Sequence, residues 1–262
     1  MSAGPGLLDT VAAQLETAWR ERRSIPQISA THPSLTVADA YAIQQRVVAG
    51  RLADGARIVG WKIGLTSLAM QRQLGVDQPD YGPILDGWLV PNGGTVDASA
   101  LIAPRVEAEI AFILRAPLLG PGVTTDDVRR ATEAVAPAIE VIDSRITDWK
   151  LALVDTVADL ASTARVVLGE ERHAIDDLDL RLVGVSFEQD GQVAATGAGA
   201  ACLGDPVAAV AWAANTLGEL GVTLEAGDII MPGALHASVP ARAGMAFRAR
   251  FDHLGDVAVR FA

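Results

Sequence analysis

The sequence predicts an α+β fold, with helices first and an antiparallel or mixed sheet core after them. Three observations carry this. Helical periodicity dominates residues 1–56, strand-like segments outnumber helical ones from residue 57 onward, and those strands are mostly joined as hairpins without strict alternation with helices. The chain has 262 residues, half of them hydrophobic and 20% charged, which is ample for a buried core and unlike a disordered composition. We therefore expect a helical N-terminal lobe over 1–56 and a β-rich domain over 57–262.

The elements follow in order. Leu7, Leu8, Val11, Leu15 and Trp19 form one helical stripe. Ser24 to Ser34 is polar with two prolines and reads as a linker. Thr36 is a suitable N-cap for a second helix running through Tyr41, Ile43 and Val47 towards Gly50 or Gly55. Arg57–Gly64 alternates like a strand. Ser67–Leu74 reads as a short helix, and Val76–Pro83 as a turn-rich loop of the kind that carries substrate contacts. Gly87–Val96 reads as strand and turn. Thr124 or Thr125 starts a helix over Asp126–Ala136 whose leading acids suit the helix dipole. Ala138–Asp143 and Arg165–Leu168 are strands, and Leu180–Ala195 is a hairpin. Pro206–Leu220 is an amphipathic helix capped by Asp205. Asp228–Gly233 is a strand entering a turn, and Met245–Ala262 a terminal hairpin.

The stretch Arg105–Leu114 is aliphatic and β-branched yet contains Glu107 and Glu109, which alternation places on one face, roughly 6–7 Å apart. Like charges on an apolar strand repel and are costly to desolvate. Either the strand is a hydrated edge, or a hard divalent cation compensates. Glu140, a third acid in an apolar strand, moves the balance to the cation. The four histidines are scattered without metal spacing, so an all-oxygen set of Glu107, Glu109 and Glu140 favours Mg²⁺ or Mn²⁺ over Zn²⁺. Lys62 shares its strand face with Gly60 and Gly64. Glycines leave room for a ligand whose charge Lys62 could meet, or else Lys62 simply reaches solvent. Ser162 has no evident His partner, and Cys202 is commoner as a small buried thiol than as a nucleophile.

A net charge of −11 with no long Lys/Arg cluster argues against nucleic acid. No apolar run approaches a membrane span, and Met1–Gly6 has no secretory character, so neither membrane nor export is expected. The single Cys202 precludes an internal disulfide and suits a reducing cytoplasm.

Several segments in matching order resemble the 2-keto-4-pentenoate hydratase family of the fumarylacetoacetate hydrolase superfamily. They are Val59-Gly60-Trp61-Lys62-Ile63-Gly64-Leu65-Thr66-Ser67, Gln73–Gly82, Arg105–Phe112, Pro137–Arg145, Asp148-Trp149-Lys150, Val154–Asp159 and Ala226–Ile230. The resemblance implies a mixed β-roll or sandwich core with a helical N-terminal lobe, a divalent cation on the three glutamates, and homo-oligomers. It leaves room for association with a downstream aldolase or a related decarboxylase. It also implies hydration of a small 2-hydroxydienoate, such as 2-hydroxypenta-2,4-dienoate, to a 4-hydroxy-2-oxo acid in aromatic or steroid ring meta-cleavage. Lys62 would balance charge or move a proton, and Asp80 and Ser162 would orient water and substrate. Three positions depart from the family pattern: Leu160 stands where Asn is usual, Leu68 where Lys is common, and His236 where Gly is common. Alternatives are 4-oxalocrotonate decarboxylase, a C–C hydrolase needing a His–Glu pair, and a non-catalytic partner subunit. The Asp148–Thr156 segment is the more hydratase-like, since decarboxylases tend to carry aromatic-Lys-aromatic and Pro-Asp there.

Overall fold

The computed structural model describes residues 3–67, 71, 76 and 78–262. The expected helix at 67–74 and the family departure at Leu68 lie largely outside these residues. Three helices come first: α1 (Pro5–Glu21), α2 (Ile28–Thr31) and α3 (Val37–Ala53). Pro5 sits in the first turn of α1, where its missing N–H costs nothing. Thr36 and Asp39 form a capping box on α3, each side chain accepting from the other's backbone N–H. The predicted linker contains α2 and a single bridge from Ile25 to Ile146. Leu8, Val11 and Leu15 of α1 and Ala40, Ile43 and Val47 of α3 bury against Leu85, Trp88, Val157, Ala158 and Leu160. The helical segment is thus cemented to residues of the sheet region, including the Leu160 turn.

The strands form two sheets. The larger has eight strands, ordered β2 (Asp80–Leu85), β1 (Ile58–Gly64), β10 (Ile229–Met231), β5 (Arg105–Leu114), β6 (Thr132–Ile142), β7 (Thr163–Leu168) and β3 (Leu89–Val90), with β11 (Val239–Pro240) also on β5. The smaller has five: β4 (Thr95–Val96), β13 (Gly255–Phe261), β12 (Ala246–Phe251), β8 (Gly184–Gln189) and β9 (Gln192–Ala198). Pairing is mixed, with β1–β10, β3–β7 and β4–β13 parallel and the rest antiparallel. The main core lies between the sheets. Val106, Ala108, Ile110 and Phe112 of β5 meet Phe187, Phe247, Val257 and Val259 there, with Val207, Val210 and Leu217 of the helix Pro206–Glu219. The opposite face of β5 carries Arg105, Glu107, Glu109 and Ala111, so strand alternation alone turns the acids away from this core.

Two expectations are corrected. Asp80–Pro83 is not a loop but the start of fully buried β2, paired antiparallel with β1. Pro83 is tolerated because β2 is the sheet edge. The helix predicted over Asp126–Ala136 stops at Ala131, and Thr132–Ala136 already pair with β5. Their small residues carry weak local preference, and the ladder with β5 decides their state.

Candidate active site

The antiparallel register of β5 and β6 sets Glu107 directly opposite Glu140. Glu107 is half-buried, while Glu109 and Glu140 are buried. One carboxylate oxygen from each of the three lies within 4.8 Å of the others. Among the described residues this is the group of His, Cys, Asp and Glu that could hold a metal ion. Lys62 arrives from β1, two strands from β5 and three from β6. The strand between β1 and β5, β10, ends at Met231, opposite Lys62. Its Nζ lies 3.4 Å from Glu140 Oε2 and donates to Ala161 O at 3.0 Å. The alternative in which Lys62 reaches solvent is excluded, since Lys62 is buried.

The glycines flanking Lys62 make room for protein atoms. A Cβ at Gly60 would collide with the carbonyl of Ile229, and one at Gly64 with the Asp80 carboxylate. Gly64 therefore lets Asp80 lie close to Lys62. Asp80 is buried, and its Oδ2 accepts from Thr156 Oγ1 at 2.9 Å. Ser162 is buried in a turn in which Leu160, Ala161 and Ser162 all have left-handed φ (57°, 50° and 58°). Three such non-glycine residues cost on the order of 3–6 kcal/mol of backbone strain. Gly82 is required beside this turn, because a Cβ there would lie 2.5 Å from Leu160 O.

Electrostatics at the site are dominated by burial. Burial, then the Glu140 charge, lifts the Glu107 carboxyl to about 7. Glu109 is raised well above its ordinary value for the same reasons in the same order. Burial raises Glu140 and Asp80 against the opposing charge of Lys62. Burial alone would lower Lys62, but Glu140, Asp80, Glu107 and Glu109 outweigh it and hold the ammonium firmly charged. One ammonium faces four carboxyl groups. Among the described residues Glu109 Oε1, Glu140 Oε1, Asp80 Oδ1 and Ser162 Oγ are buried without a hydrogen-bond partner, and Glu140 Oε2 has only the Lys62 ammonium at 3.4 Å. Such orphaned buried oxygens are costly. A hard oxygen-seeking cation fits the glutamate oxygens by charge, donor type and spacing. Glu109 Oε2 is held by the Gly233 backbone N–H at 2.8 Å.

Residues 87–262 match the model of the fumarylacetoacetate (FAA) hydrolase C-terminal family. The chain belongs to this family. Family relatives align over almost the whole chain. 4-Oxalocrotonate decarboxylase of Pseudomonas sp. (strain CF600) is 43% identical, over 96% of this chain and 95% of the relative. 2-Hydroxyhexa-2,4-dienoate hydratase of Comamonas testosteroni is also 43% identical, over 97% of each. The solved 4-oxalocrotonate decarboxylase of Pseudomonas putida G7, complexed with magnesium and adipate, superposes with a TM-score of 0.96 at 41% identity, over 100% of this chain and 99% of that one.

Two departures from the usual family sequence acquire a physical account. Leu160 adopts the left-handed conformation in which Asn is better tolerated, but its side chain is buried in the apolar cluster of α1 and α3. Burying such a side chain returns about 1.5–3 kcal/mol. His236 fills the gap between β10 and β11 along β5. Its Nε2 accepts from Ala108 N at 3.1 Å, its Nδ1 faces Ala237 O at 2.8 Å, and its ring lies 4.6 Å from that of Phe187. Burial lowers its pKa, consistent with a neutral ring accepting at Nε2.

All six residues singled out from the sequence thus fall in one region, linked by Lys62 to the glutamates, to Asp80 and to the Ser162 turn. Thr156, Arg145 and Asp159 received no role from the sequence. Their signal was polarity beside apolar strand and helix residues, which does not say what they touch. Cys202 is a buried thiol, as expected, with Sγ 2.7 Å from Pro232 O. Among the described residues no helix is long and apolar enough to cross a membrane.

Proposed function

We propose that this chain is a hydratase adding water to 2-hydroxypenta-2,4-dienoate, or a substituted analogue, to give a 4-hydroxy-2-oxo acid in meta-cleavage catabolism. Relatives named hydratase and decarboxylase are equally similar, so identity does not separate the two reactions. The observation that carries the hydratase is the Thr156–Asp80 hydrogen bond. The hydratase-like segment ending in Thr156 delivers its hydroxyl directly to the acid beside Lys62.

In this reading Glu107, Glu109 and Glu140 hold Mg²⁺ or Mn²⁺, as the P. putida relative was solved with magnesium. When bound, the cation supplies positive charge against the negative charge that develops on the substrate's carboxylate and 2-oxygen. Lys62 balances the remaining negative charge or moves a proton, held in place by Ala161 O and Glu140. Asp80, oriented by Thr156, and Ser162 orient water and substrate, their Oδ1 and Oγ having no hydrogen-bond partner among the described residues. Burial of these groups excludes bulk water and strengthens each interaction. The same reading divides the chain into a helical lobe to residue 56 and a catalytic body from residue 57. It includes a cytoplasmic homo-oligomer, with association to a downstream aldolase or related decarboxylase chain.

The test offers the Mg²⁺- or Mn²⁺-loaded protein fresh 2-hydroxypentadienoate and, separately, 4-oxalocrotonate. Loss of dienol absorbance with 4-hydroxy-2-oxo acid formed supports the hydratase, and CO₂ release from the second substrate replaces it with the decarboxylase. Glu107→Gln should lose activity and cation binding together, and full activity of that variant after chelation would overturn the metal assignment. Light scattering after size exclusion reads the oligomer.

A further inference from the structure

The left-handed turn at Leu160–Ser162 is held from outside the site by one buried side chain. Arg145 is 1% exposed, and its guanidinium joins Asp159, the residue just before the turn, to Asp143, just after β6, which pairs with Ser162. Nη1 donates to Asp143 O at 2.5 Å, Nη2 to Asp159 O at 2.6 Å and Nε to Asp159 Oδ1 at 2.5 Å. Asp159 Oδ2 also accepts from the Arg145 backbone N–H at 2.9 Å and from Ser144 Oγ at 3.2 Å. The clamped segments in turn hold Ser162, whose N–H donates to Asp159 O at 2.9 Å and whose carbonyl accepts from Asp143 N at 2.8 Å. Ala161, two residues after the clamped Asp159, supplies the carbonyl that holds Lys62. The outer face of the guanidinium is covered by α1, with Trp19 centred 4.6 Å from Arg145 Cζ. Trp19 is itself stacked on Trp88 at 5.6 Å and capped by Arg51 at 4.2 Å.

We propose that Arg145, backed by Trp19 of the N-terminal helix, is a positioning residue that clamps the strained 160–162 turn and so sets Ser162 and Lys62 for reaction. The turn needs such a clamp because left-handed non-glycine residues persist only when their surroundings over-determine them. Arginine suits the task because its planar fork reaches two carbonyls and a carboxylate at once, which the single ammonium of lysine cannot do. The helical segment thereby acts on the chemistry without touching substrate. This rests on the proposed roles of Ser162 and Lys62, and its test is arranged to fail separately from them.

The variants are Arg145→Lys, Trp19→Leu and Trp19→Phe in the full chain. Amide hydrogen exchange should rise about tenfold or more over residues 158–164 in Arg145→Lys, and less in Trp19→Leu, while residues 107–112 stay as in the parent. Mn²⁺ binding, followed by calorimetry, should stay within about twofold, because the glutamates lie on β5 and β6 outside the clamp. With the substrate the parent turns over, kcat should fall by about tenfold or more with KM within about threefold, since small misplacements of a reacting group are costly. Trp19→Phe, which keeps an aromatic face, should recover most of the loss. Unchanged exchange at 158–164 in both Arg145→Lys and Trp19→Leu overturns the proposal. So does loosening of 107–112 with a matching loss of Mn²⁺ affinity, which marks general destabilisation. A parent that turns over neither substrate refutes the assigned reaction, while the exchange and Mn²⁺ measurements still decide the clamp. If Arg145→Lys does not fold, Trp19→Leu decides it alone.

Discussion

Removing the cation should reverse the way this protein's stability depends on pH. In the cation-free chain burial and the Glu140 charge raise the Glu107 carboxyl from 4.5 to about 7. A carboxyl raised on folding stabilises the native state fully below its unfolded value of 4.5, and that contribution is lost as the pH rises through about 7. At 1.36 kcal/mol per pH unit the whole rise is on the order of 3 kcal/mol, of which about 2 kcal/mol falls above pH 5.5. Glu107 is half-buried, so solvent screening makes this an upper figure. Glu109, Glu140 and Asp80 are raised too and add in the same direction. A loss of 2 kcal/mol corresponds to a fall in Tm of roughly 4–8 °C for a chain of this size. Bound Mg²⁺ requires the deprotonated glutamates, so its affinity strengthens over the same window. At a hundredfold excess over Kd it adds about 2.7 kcal/mol. Thermal melts of EDTA-treated and Mg²⁺-saturated protein should therefore diverge between pH 5.5 and 8. The first falls with pH, and the second is flat or rises. Glu107→Gln, which cannot titrate, should flatten the cation-free slope. A cation-free Tm that is constant or rises with pH, or an Mg²⁺ increment of equal size at both ends, refutes the assignment of these acids to a cation.

Three substitutions test other parts of the site. Lys62→Met leaves Glu140 buried without its ammonium and should destabilise the cation-free chain by about 3–5 kcal/mol, seen in chemical denaturation. Its turnover should fall by about a hundredfold or more even with cation saturating. Gly82→Ala drives a Cβ against the Leu160 carbonyl and should cost about 1–3 kcal/mol, with kcat falling through displacement of Ser162. Leu160→Asn relieves backbone strain but buries an amide in the apolar cluster of α1 and α3. Its Tm should fall by an amount equivalent to about 1–3 kcal/mol while Mn²⁺ affinity is kept.

Local signals in the sequence were enough for several elements because their causes are local. The N-cap at Thr36, the Pro206 helix start and the strand alternation that puts Glu107 and Glu109 on one face all depend on neighbours within four residues. The cation reading, too, began from local electrostatics, since two carboxylates on an apolar strand need either hydration or a cation, and Glu140 with the family resemblance favoured the cation. By itself the sequence therefore determined the α+β class, the helical start of the chain and the shared strand face of Glu107 and Glu109. Tertiary structure decided the rest. Asp80–Pro83 read as part of a loop, yet pairing with β1 at the covered edge of the sheet made strand β2 of them and buried Asp80. The glycines beside Lys62 seemed to await a ligand, but Ile229 and Asp80 occupy that space. Glu140 meets Glu107 only through the β5–β6 register, and Lys62 reaches Glu140 across strands β10 and β5. These placements depend on contacts between residues tens to more than a hundred positions apart, and no short-range pattern encodes them.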